Sequence, residues 1–262
     1  MEFGMPFLLE NESVEAAAAL AAELGLGFVE LNMSFPLCAQ ERLSPAMLLA
    51  LREKYGVYFT FHLDEEMAPC TFTAPVRAAW LEAAEKAITL ARAVEAPAVN
   101  LHWPRGIWVT LPDRIEYLFE NYSREYRENT LRFREVCERA SGGRVRVCVE
   151  NTSGWKPFQQ ESVELLLASP VFGLTLDTGH DRCCGHCDAP FYARHADRLS
   201  HMHLHDATAS QDHMPLGAGE LDIDALIRRA EAACGRALVE IKTAAALRQS
   251  KEFLARHGWM KG

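Results

Sequence analysis

The feature that most constrains the fold of this 262-residue chain is a short apolar run that ends in a charged side chain. Residues 171–176, VFGLTL, run directly into Asp177, and a small-residue turn then leads to His180. Such a run is typical of a strand buried in a parallel sheet, with polar groups at its C-terminal end. Barrel enzymes of the (β/α)8 type form their active sites at that end of the strands.

The same pattern occurs three more times along the chain. Residues 145–149 are followed by Glu150, residues 199–202 by His203, and residues 237–239 by Glu240. In a closed barrel, the C-terminal ends of successive strands lie around one rim. The pattern therefore predicts that three carboxylates and one imidazole meet at the barrel mouth.

Helical patterns alternate with the apolar runs, and no linker or shift in composition divides the chain. We therefore predict an α/β fold with one (β/α)8 TIM barrel domain over residues 1–262. The predicted strands cover 3–9, 28–32, 57–62, 97–102, 145–150, 171–177, 199–203 and 237–240. The predicted helices cover 14–24, 45–55, 75–94, 114–140, 161–167, 191–197, 222–234 and 244–256. Residues 103–106 and 181–188 are predicted as mouth loops, and Glu30 and Asn32 are expected to face the mouth.

Composition argues against several classes of partner. The chain has 27 Lys and Arg residues against 36 Asp and Glu residues, a net charge of -9, so we expect no nucleic acid partner. The N-terminus lacks the pattern of a signal peptide and no apolar run has membrane-spanning length, which predicts a cytoplasmic protein without a membrane partner. In that compartment the eight cysteines are expected to be reduced and mostly to serve packing. Whether the chain forms a homo-oligomer stays open.

The four strand-end residues form a set suited to one divalent metal ion. Glu150, Asp177 and Glu240 supply hard oxygen ligands, and His203 supplies a nitrogen ligand. This shell suits Mn²⁺ or Mg²⁺ and also accepts Zn²⁺ or Co²⁺, so the residue types leave the identity of the metal open.

Five segments together resemble the xylose-isomerase-like barrel superfamily, which includes sugar isomerases and epimerases and the endonuclease IV group. The matching segments are 149–151 (VEN), 176–180 (LDTGH), 201–206 (HMHLHD), 213–220 (HMPLGAGE) and 239–240 (VE). The resemblance implies that Glu150, Asp177, His203 and Glu240 bind one metal ion and that His180 and His213 lie near the substrate.

The resemblance also implies a chemistry. A metal ion binds adjacent oxygens of a sugar, sugar phosphate or other polyol, and Glu150 and Glu240 remove and return a proton next to the carbonyl through an enediolate. An isomerase or epimerase is therefore the leading hypothesis. Trp103, together with Trp108 and Trp155, is expected to line the sugar pocket. His62 and His102 are predicted as substrate contacts or metal ligands, against the alternative that they are simple pocket histidines.

Three other functions stay open. An endonuclease IV-like phosphodiesterase is suggested by His62 and His102, which fall where that group places ligands for additional zinc ions. Against it, Gln211 stands where the group's third zinc requires an aspartate. The arginine that several ketose epimerases carry after the metal histidine is also missing. The remaining alternatives are a metal-dependent dehydratase of the same superfamily and a catalytically silent barrel that binds a sugar or metal as a sensor.

Two clusters have structural interpretations. His201 and His205 share one face of the strand with His203, and we expect the former to pack beneath the site and the latter to lie at the rim. The segment 183–187, CCGHC, has closely spaced zinc ligands but no second pair with clear spacing. It is predicted as a mobile loop whose thiols are open to oxidation if they are exposed.

Overall fold

Apolar runs rich in β-branched and aromatic residues form the strands of the protein, in a computed structural model that describes residues 1–261. The strands are β1 (Glu2–Pro6), β2 (Phe28–Asn32), β3 (Tyr58–His62), β4 (Ala98–His102), β5 (Trp108–Thr110), β6 (Ile115–Tyr117), β7 (Arg146–Glu150), β8 (Phe172–Asp177), β9 (Leu199–Leu204) and β10 (Arg236–Val239). Eight of them close into a parallel barrel in the order β1, β2, β3, β4, β7, β8, β9, β10, which confirms the predicted fold class.

Helices connect the strands and cover the barrel. They are α1 (Val14–Leu24), α2 (Pro45–Tyr55), α3 (Ala74–Ala93), α4 (Leu118–Asn121), α5 (Ser123–Ser141), α6 (Pro157–Leu167), α7 (Thr178–Cys183), α8 (Ala189–Arg194), α9 (Ile223–Ala233) and α10 (Ala244–Arg256). Ser13, Ser44 and Thr243 cap three of these helices with their hydroxyl groups, as is common at helix N-termini. Among residues 1–261, no helix combines the length and apolar character needed to cross a membrane.

The register of the parallel strands places their polar ends side by side. Asp177 on β8 is paired with His203 on β9, and His102 on β4 is paired with Glu150 on β7. Because paired residues of adjacent strands point to the same side of a sheet, these side chains all lie on the inner side of the barrel near the mouth. The sheet thereby gathers residues that are far apart in the sequence.

The segment after β4 differs from the prediction. We expected an irregular loop followed by a helix from Arg114, but residues 108–117 form the antiparallel hairpin β5–β6, and the long helix α5 begins at Ser123. The β-branched and aromatic residues of both hairpin strands favour this structure. Pro112 lies in the turn, where its fixed backbone angle suits the second position and where the Leu111 N–H donates to the Arg114 carbonyl.

Two predicted boundaries near the site are also wrong. The mouth loop expected from Asp181 begins later, because Thr178–Cys183 is helical and the carboxylate of Asp177 accepts the N–H of His180 as an N-cap. The first strand ends at Pro6, and Phe7 and Leu8 are buried beyond it. In both places, the residues next to the strand end contribute to the mouth.

A buried carboxylate fixes the long segment between β9 and α9. Asp206 accepts backbone N–H groups from Gly217, Gly219 and Leu221 at 2.8–3.1 Å, and also from its neighbour Ala207. Charged acceptors make hydrogen bonds that are shorter and stronger than neutral ones. Asp206 therefore holds the loop that carries His213 against the end of β9.

We expect the Asp206→Asn substitution to lower the free energy of unfolding by about 3 kcal/mol, because hydrogen bonds to a charged group each contribute about 1.5–3 kcal/mol and several are weakened. Urea denaturation followed by circular dichroism measures this. The control is Asp222→Asn, which makes the same change at the N-cap of α9, where asparagine caps as well as aspartate. Equal stability losses in the two variants would contradict the proposed role of Asp206.

Candidate metal centre

The four strand-end residues converge on one point at the barrel mouth. The Nδ1 atom of His203 lies 2.9 Å from an oxygen of Glu240 and 3.1 Å from an oxygen of Glu150. An oxygen of Asp177 is 4.0 Å from the same nitrogen, and one ligand atom from each of the four residues lies within 4.8 Å of the others. The structure thus brings together the predicted ligand set.

Three residues of this set have ligand atoms that lack other partners. Oε2 of Glu150, Oε2 of Glu240 and Nδ1 of His203 are buried and make no well-aligned hydrogen bond to any of residues 1–261. Leaving such groups unsatisfied costs free energy, which a cation at their centre would recover. The residues therefore fit a divalent metal ion, and their oxygen-rich donor set is one that Mn²⁺, Mg²⁺, Zn²⁺ and Co²⁺ all accept.

The electrostatics of the cluster fit a cation as well. Burial opposes the ionisation of Glu150, but the charges of His203 and His102 outweigh it and hold the pKa of that carboxyl well below its ordinary value. Burial likewise opposes the charging of His203, yet Glu150 and Glu30 raise its pKa well above the ordinary value. Protonated imidazoles thus compensate the buried carboxylates, and a metal ion would take over that compensation with release of protons.

A buried polar network beneath the site contacts the other nitrogen of His203. Oε1 of Glu30 lies 3.0 Å from Nε2 of His203, an ion-pair distance, although Nε2 makes no well-aligned hydrogen bond to any of residues 1–261. Oε2 of Glu30 accepts hydrogen bonds from Thr60, at 2.9 Å, and from Asn100. His201 is fully buried, with Nε2 3.5 Å from Glu30, as expected for a histidine beneath the site. A carboxylate behind a ligating histidine favours a proton on the nitrogen that faces it, here Nε2, and this would leave Nδ1 to bind a metal.

A second histidine orients Asp177. His205 is fully buried, so the expectation that it lies at the rim is wrong. Its Nδ1 accepts the backbone N–H of His213 at 2.7 Å, which places the ring proton on Nε2. Nε2 then donates to the carboxylate of Asp177, 3.0 Å from both oxygens.

Three further predicted residues surround Glu150. Nε2 of His62 lies 3.4 Å from Oε2 of Glu150. Nε2 of His102 lies 3.4 Å from Oε1 of Glu150, and Nδ1 of His180 lies 3.5 Å from the same Oε1 atom. Burial disfavours protonation of His62 and His180, but the adjacent carboxylates raise the pKa of His62 to about 9 and that of His180 to about 10. Ligand atoms of His62, His102 and Glu150 also lie within 4.8 Å of one another, which forms a second group with metal-binding potential.

A cavity of about 340 Å³ opens above the cluster. Its polar wall includes Glu240, Lys242 and four histidines, and its apolar wall is formed by the chain after β1 and by the end of β10. The residues that line it are Pro6, Phe7, Leu8, Leu9, Glu30, Asn32, Phe35, His62, Glu65, His102, His180, His213, Leu238, Glu240 and Lys242. The predicted substrate contacts His62, His102, His180 and His213 are therefore all at the cavity.

The structure does not bring Trp103 to this cavity. Its side chain is 1% exposed, and its indole N–H donates to the hydroxyl groups of Tyr126 and Ser162. Trp155 is buried against Tyr192, and Trp108 lies exposed on the hairpin. A tryptophan that follows a strand can turn away from the barrel mouth. Trp103 and Trp155 are buried in this way, and Trp108 lies at the surface. Phe7 and Phe35 supply the aromatic surface of the cavity instead.

Sequence reasoning underestimated two residues. Glu30 was expected to face the mouth, but no pattern indicated that it contacts His203, because that contact joins strands β2 and β9 across the barrel. Lys242, whose amino group lies 2.7 Å from Glu240, follows β10 without any motif. For Glu30, the signal available in the sequence was a charged residue inside an apolar strand.

A sequence model of the xylose isomerase-like TIM barrel family matches residues 18–257, and the chain belongs to this family. No curated protein sequence matches it. Solved structures with the same fold include a D-tagatose 3-epimerase-like protein, with a TM-score of 0.77 and 21% sequence identity over 98% of this chain and 97% of the other.

Two more structures extend the comparison. The 3-keto-D-glucoside 4-epimerase from E. coli, in its apo form, has a TM-score of 0.73 and 14% identity, with 98% of each chain covered. Endonuclease IV from Thermus thermophilus has a TM-score of 0.65 and 20% identity, with 98% of this chain and 100% of the other covered. At these identities the similarity establishes the fold, which is shared by sugar epimerases and by a nuclease.

We expect Glu30→Gln to weaken the binding of Mn²⁺ by about 10–100-fold, the usual effect of losing the partner of a metal-ligating histidine. The amide keeps the shape of the side chain but no longer supplies a carboxylate to accept the Nε2–H. Competition with a fluorescent chelator measures the affinity. Glu2→Gln removes a carboxylate that accepts a hydrogen bond from Tyr58 at the opposite end of the barrel and serves as the control. Unchanged affinity in Glu30→Gln would show that Glu30 does not position His203.

Proposed function

We propose that this protein is a metal-dependent isomerase or epimerase that acts on a small sugar, sugar phosphate or related polyhydroxy carbonyl compound. The observation that carries the proposal is the pair of carboxylates, Glu150 and Glu240, which both lie within about 3 Å of His203 Nδ1 next to the cavity. Each has one buried oxygen without a hydrogen-bond partner among residues 1–261. Such oxygens are available to a metal ion and to a substrate proton.

The residues that would hold the ion are Glu150, Asp177, His203 and Glu240. When bound there, a divalent ion would supply positive charge that stabilises negative charge developing on the substrate oxygens. Asp177 is itself held in place by His205 and by the N–H of His180. These contacts support a rigid ligand set, which favours catalysis over adaptive binding.

The proton transfer is assigned to the chain's own carboxylates. A hydrogen on the carbon next to a carbonyl is removed as a proton by one glutamate. The other glutamate returns a proton to the opposite face of the same carbon in epimerisation. In isomerisation the proton returns to the former carbonyl carbon, and the proton of the adjacent hydroxyl group passes to the former carbonyl oxygen. The amino group of Lys242 lies 2.7 Å from Oε1 of Glu240, and Nε2 of His213 lies 3.4 Å from the same oxygen. Both contacts stabilise the ionised form of Glu240. General acid–base catalysis of this kind contributes about 10²–10⁴-fold in rate.

The cavity is consistent with a small polar substrate. Its basic groups include Lys242 and the histidines, and its acidic groups include Glu30, Glu65 and Glu240. Arg182, one of the basic residues near the mouth, is paired with Glu220 at 2.6 Å. The apolar wall, with Phe7 and Phe35, offers a surface for the C–H face of a sugar ring, while the histidines offer hydrogen bonds to its hydroxyl groups.

The Mn²⁺-loaded protein is incubated in D₂O with a panel of ketoses, aldoses and their phosphates. We expect deuterium to enter one substrate pair at the carbon next to the carbonyl. Glu240→Gln should lower the rate by about 10²–10⁴-fold, because the amide cannot accept the proton. NMR measures both interconversion and deuterium content, and bound metal is measured in parallel to separate loss of the base from loss of the ion.

The matched control is Glu220→Gln, which removes a mouth carboxylate that is paired with Arg182 outside the cavity lining. Its rate should stay close to that of the unaltered protein. Interconversion of a sugar pair without any deuterium incorporation would contradict the proposal and indicate hydride transfer.

A second candidate function is phosphodiester hydrolysis of the endonuclease IV type. It is favoured by the group formed by His62, His102 and Glu150, whose geometry would suit an additional metal ion that shares Glu150 with the first. Against it, Gln211 is exposed and Asp212 instead contacts His213 at 2.9 Å. The acidic balance of the chain also opposes binding to a phosphate backbone.

We expect the protein reconstituted with Mn²⁺ to leave an abasic-site duplex intact at low salt and to retain about one manganese ion per chain by elemental analysis. His62→Ala and His102→Ala should keep that ion, whereas His203→Ala should lose it. Two or more ions per chain, together with strand incision that disappears in His62→Ala and His102→Ala, would replace the isomerase proposal with the nuclease.

A further inference from the structure

Another group of metal-ligating side chains, away from the barrel mouth, lies in the loop between α7 and α8. One ligand atom each of Cys184, Cys187 and Asp188 lies within 4.8 Å of the others. Gly185 and His186 both have positive φ angles, of 72° and 60°, and this turn brings the two thiols, three residues apart, to one side of the loop. A positive φ is unusual for a histidine. It is held by the His186 N–H, which donates to the Asp181 carbonyl at 2.7 Å.

The carboxylate of Asp188 indicates what the loop binds. The residue is fully buried, and Oδ1 accepts the backbone N–H of Trp155 at 2.9 Å. Oδ2 is buried as well and has no hydrogen-bond partner among residues 1–261. An unpaired carboxylate oxygen in this position is costly, and a cation bound between it and the two thiols would satisfy it.

The position of Cys187 is defined by packing. A Cβ atom added to Gly154 would lie 2.5 Å from the Sγ atom of Cys187, so this sulfur fills the space that the glycine leaves. The adjacent Cys183 is different, because its Sγ lies 3.5 Å from the Thr208 carbonyl, in another loop. The chain therefore contains two cysteines in the group and a neighbouring cysteine outside it.

We propose that Cys184, Cys187 and Asp188 bind a divalent cation that prefers thiolate ligands, such as Zn²⁺, at a site separate from the barrel mouth. Two thiolates and one carboxylate are ligands that Zn²⁺ accepts, and a water molecule can complete the four-coordinate shell because Cys187 is exposed. Binding converts the two thiols to thiolates and releases their two protons. The expectation of no zinc site considered only thiols and imidazoles, whereas the third donor is the aspartate that follows the motif.

The bound ion would connect three segments of the chain next to the barrel mouth. Cys184 follows α7, which carries His180, and Asp188 precedes α8 and also holds Trp155 in the loop after β7. A disulfide between Cys184 and Cys187 would need an oxidant and would leave Oδ2 of Asp188 unpaired. The buried carboxylate therefore favours a cation over a disulfide.

Co²⁺ titration of the full-length protein tests the proposal, after removal of metals and in the presence of a phosphine reductant. Thiolate-bound Co²⁺ gives a ligand-to-metal charge-transfer absorption in the near ultraviolet, which the carboxylate and imidazole ligands of the barrel mouth cannot give. The absorption should saturate at one thiolate-bound ion per chain and should disappear when Zn²⁺ is added. It should be lost in Cys184→Ser and in Cys187→Ser and should require higher Co²⁺ concentrations in Asp188→Asn.

Cys183→Ser is the matched control and should keep the absorption. His203→Ala should also keep it, so the result does not depend on the proposed catalytic function. Absence of the absorption in the unaltered protein would overturn the proposal, as would its persistence in both serine variants or its dependence on Cys183. A thiol count that shows Cys184 and Cys187 joined as a disulfide under these reducing conditions would also overturn it.

Discussion

The structure depends on the burial of four carboxylates around a single imidazole. Glu30, Glu150, Asp177 and Glu240 all approach His203 or its immediate neighbours, and like charges in a region of low dielectric repel strongly. Only positive charge makes such a cluster tolerable. In the chain alone, that positive charge comes from protonated histidines. A single divalent cation would supply it in their place. The polar network under His203 and the hydrogen bonds to Asp177 follow from this constraint, because each fixes a ligand that would otherwise reorient.

The barrel explains why residues so distant in sequence meet. Each of Glu150, Asp177, His203 and Glu240 stands at or next to the end of a parallel strand, and the closed barrel brings their ligand atoms within 4.8 Å of one another. That part of the site could be predicted from the sequence, because the apolar run and the polar residue after it are local signals. The fold class, the eight strands and the bounds of α1, α2 and α10 could be predicted for the same reason.

Other features depended on contacts that no local pattern contains. The direction of Trp103 is set by hydroxyl groups on α5 and α6, so its place after β4 says nothing about the cavity. The burial of His205 depends on the backbone of His213 in a loop that Asp206 holds from within. The hairpin β5–β6 competes with helix formation in a segment whose composition permits both. In each case, tertiary contacts decided between local alternatives.

The most direct test of the central claim is a crystal structure of the protein with Mn²⁺, with anomalous diffraction used to locate the ion. We expect one strong anomalous peak at the barrel mouth, from an ion bound by Nδ1 of His203 and by oxygens of Glu150, Asp177 and Glu240, with Nε2 of His203 donating to Glu30. A mouth without a peak, or a sole peak between His62, His102 and Glu150, would contradict it.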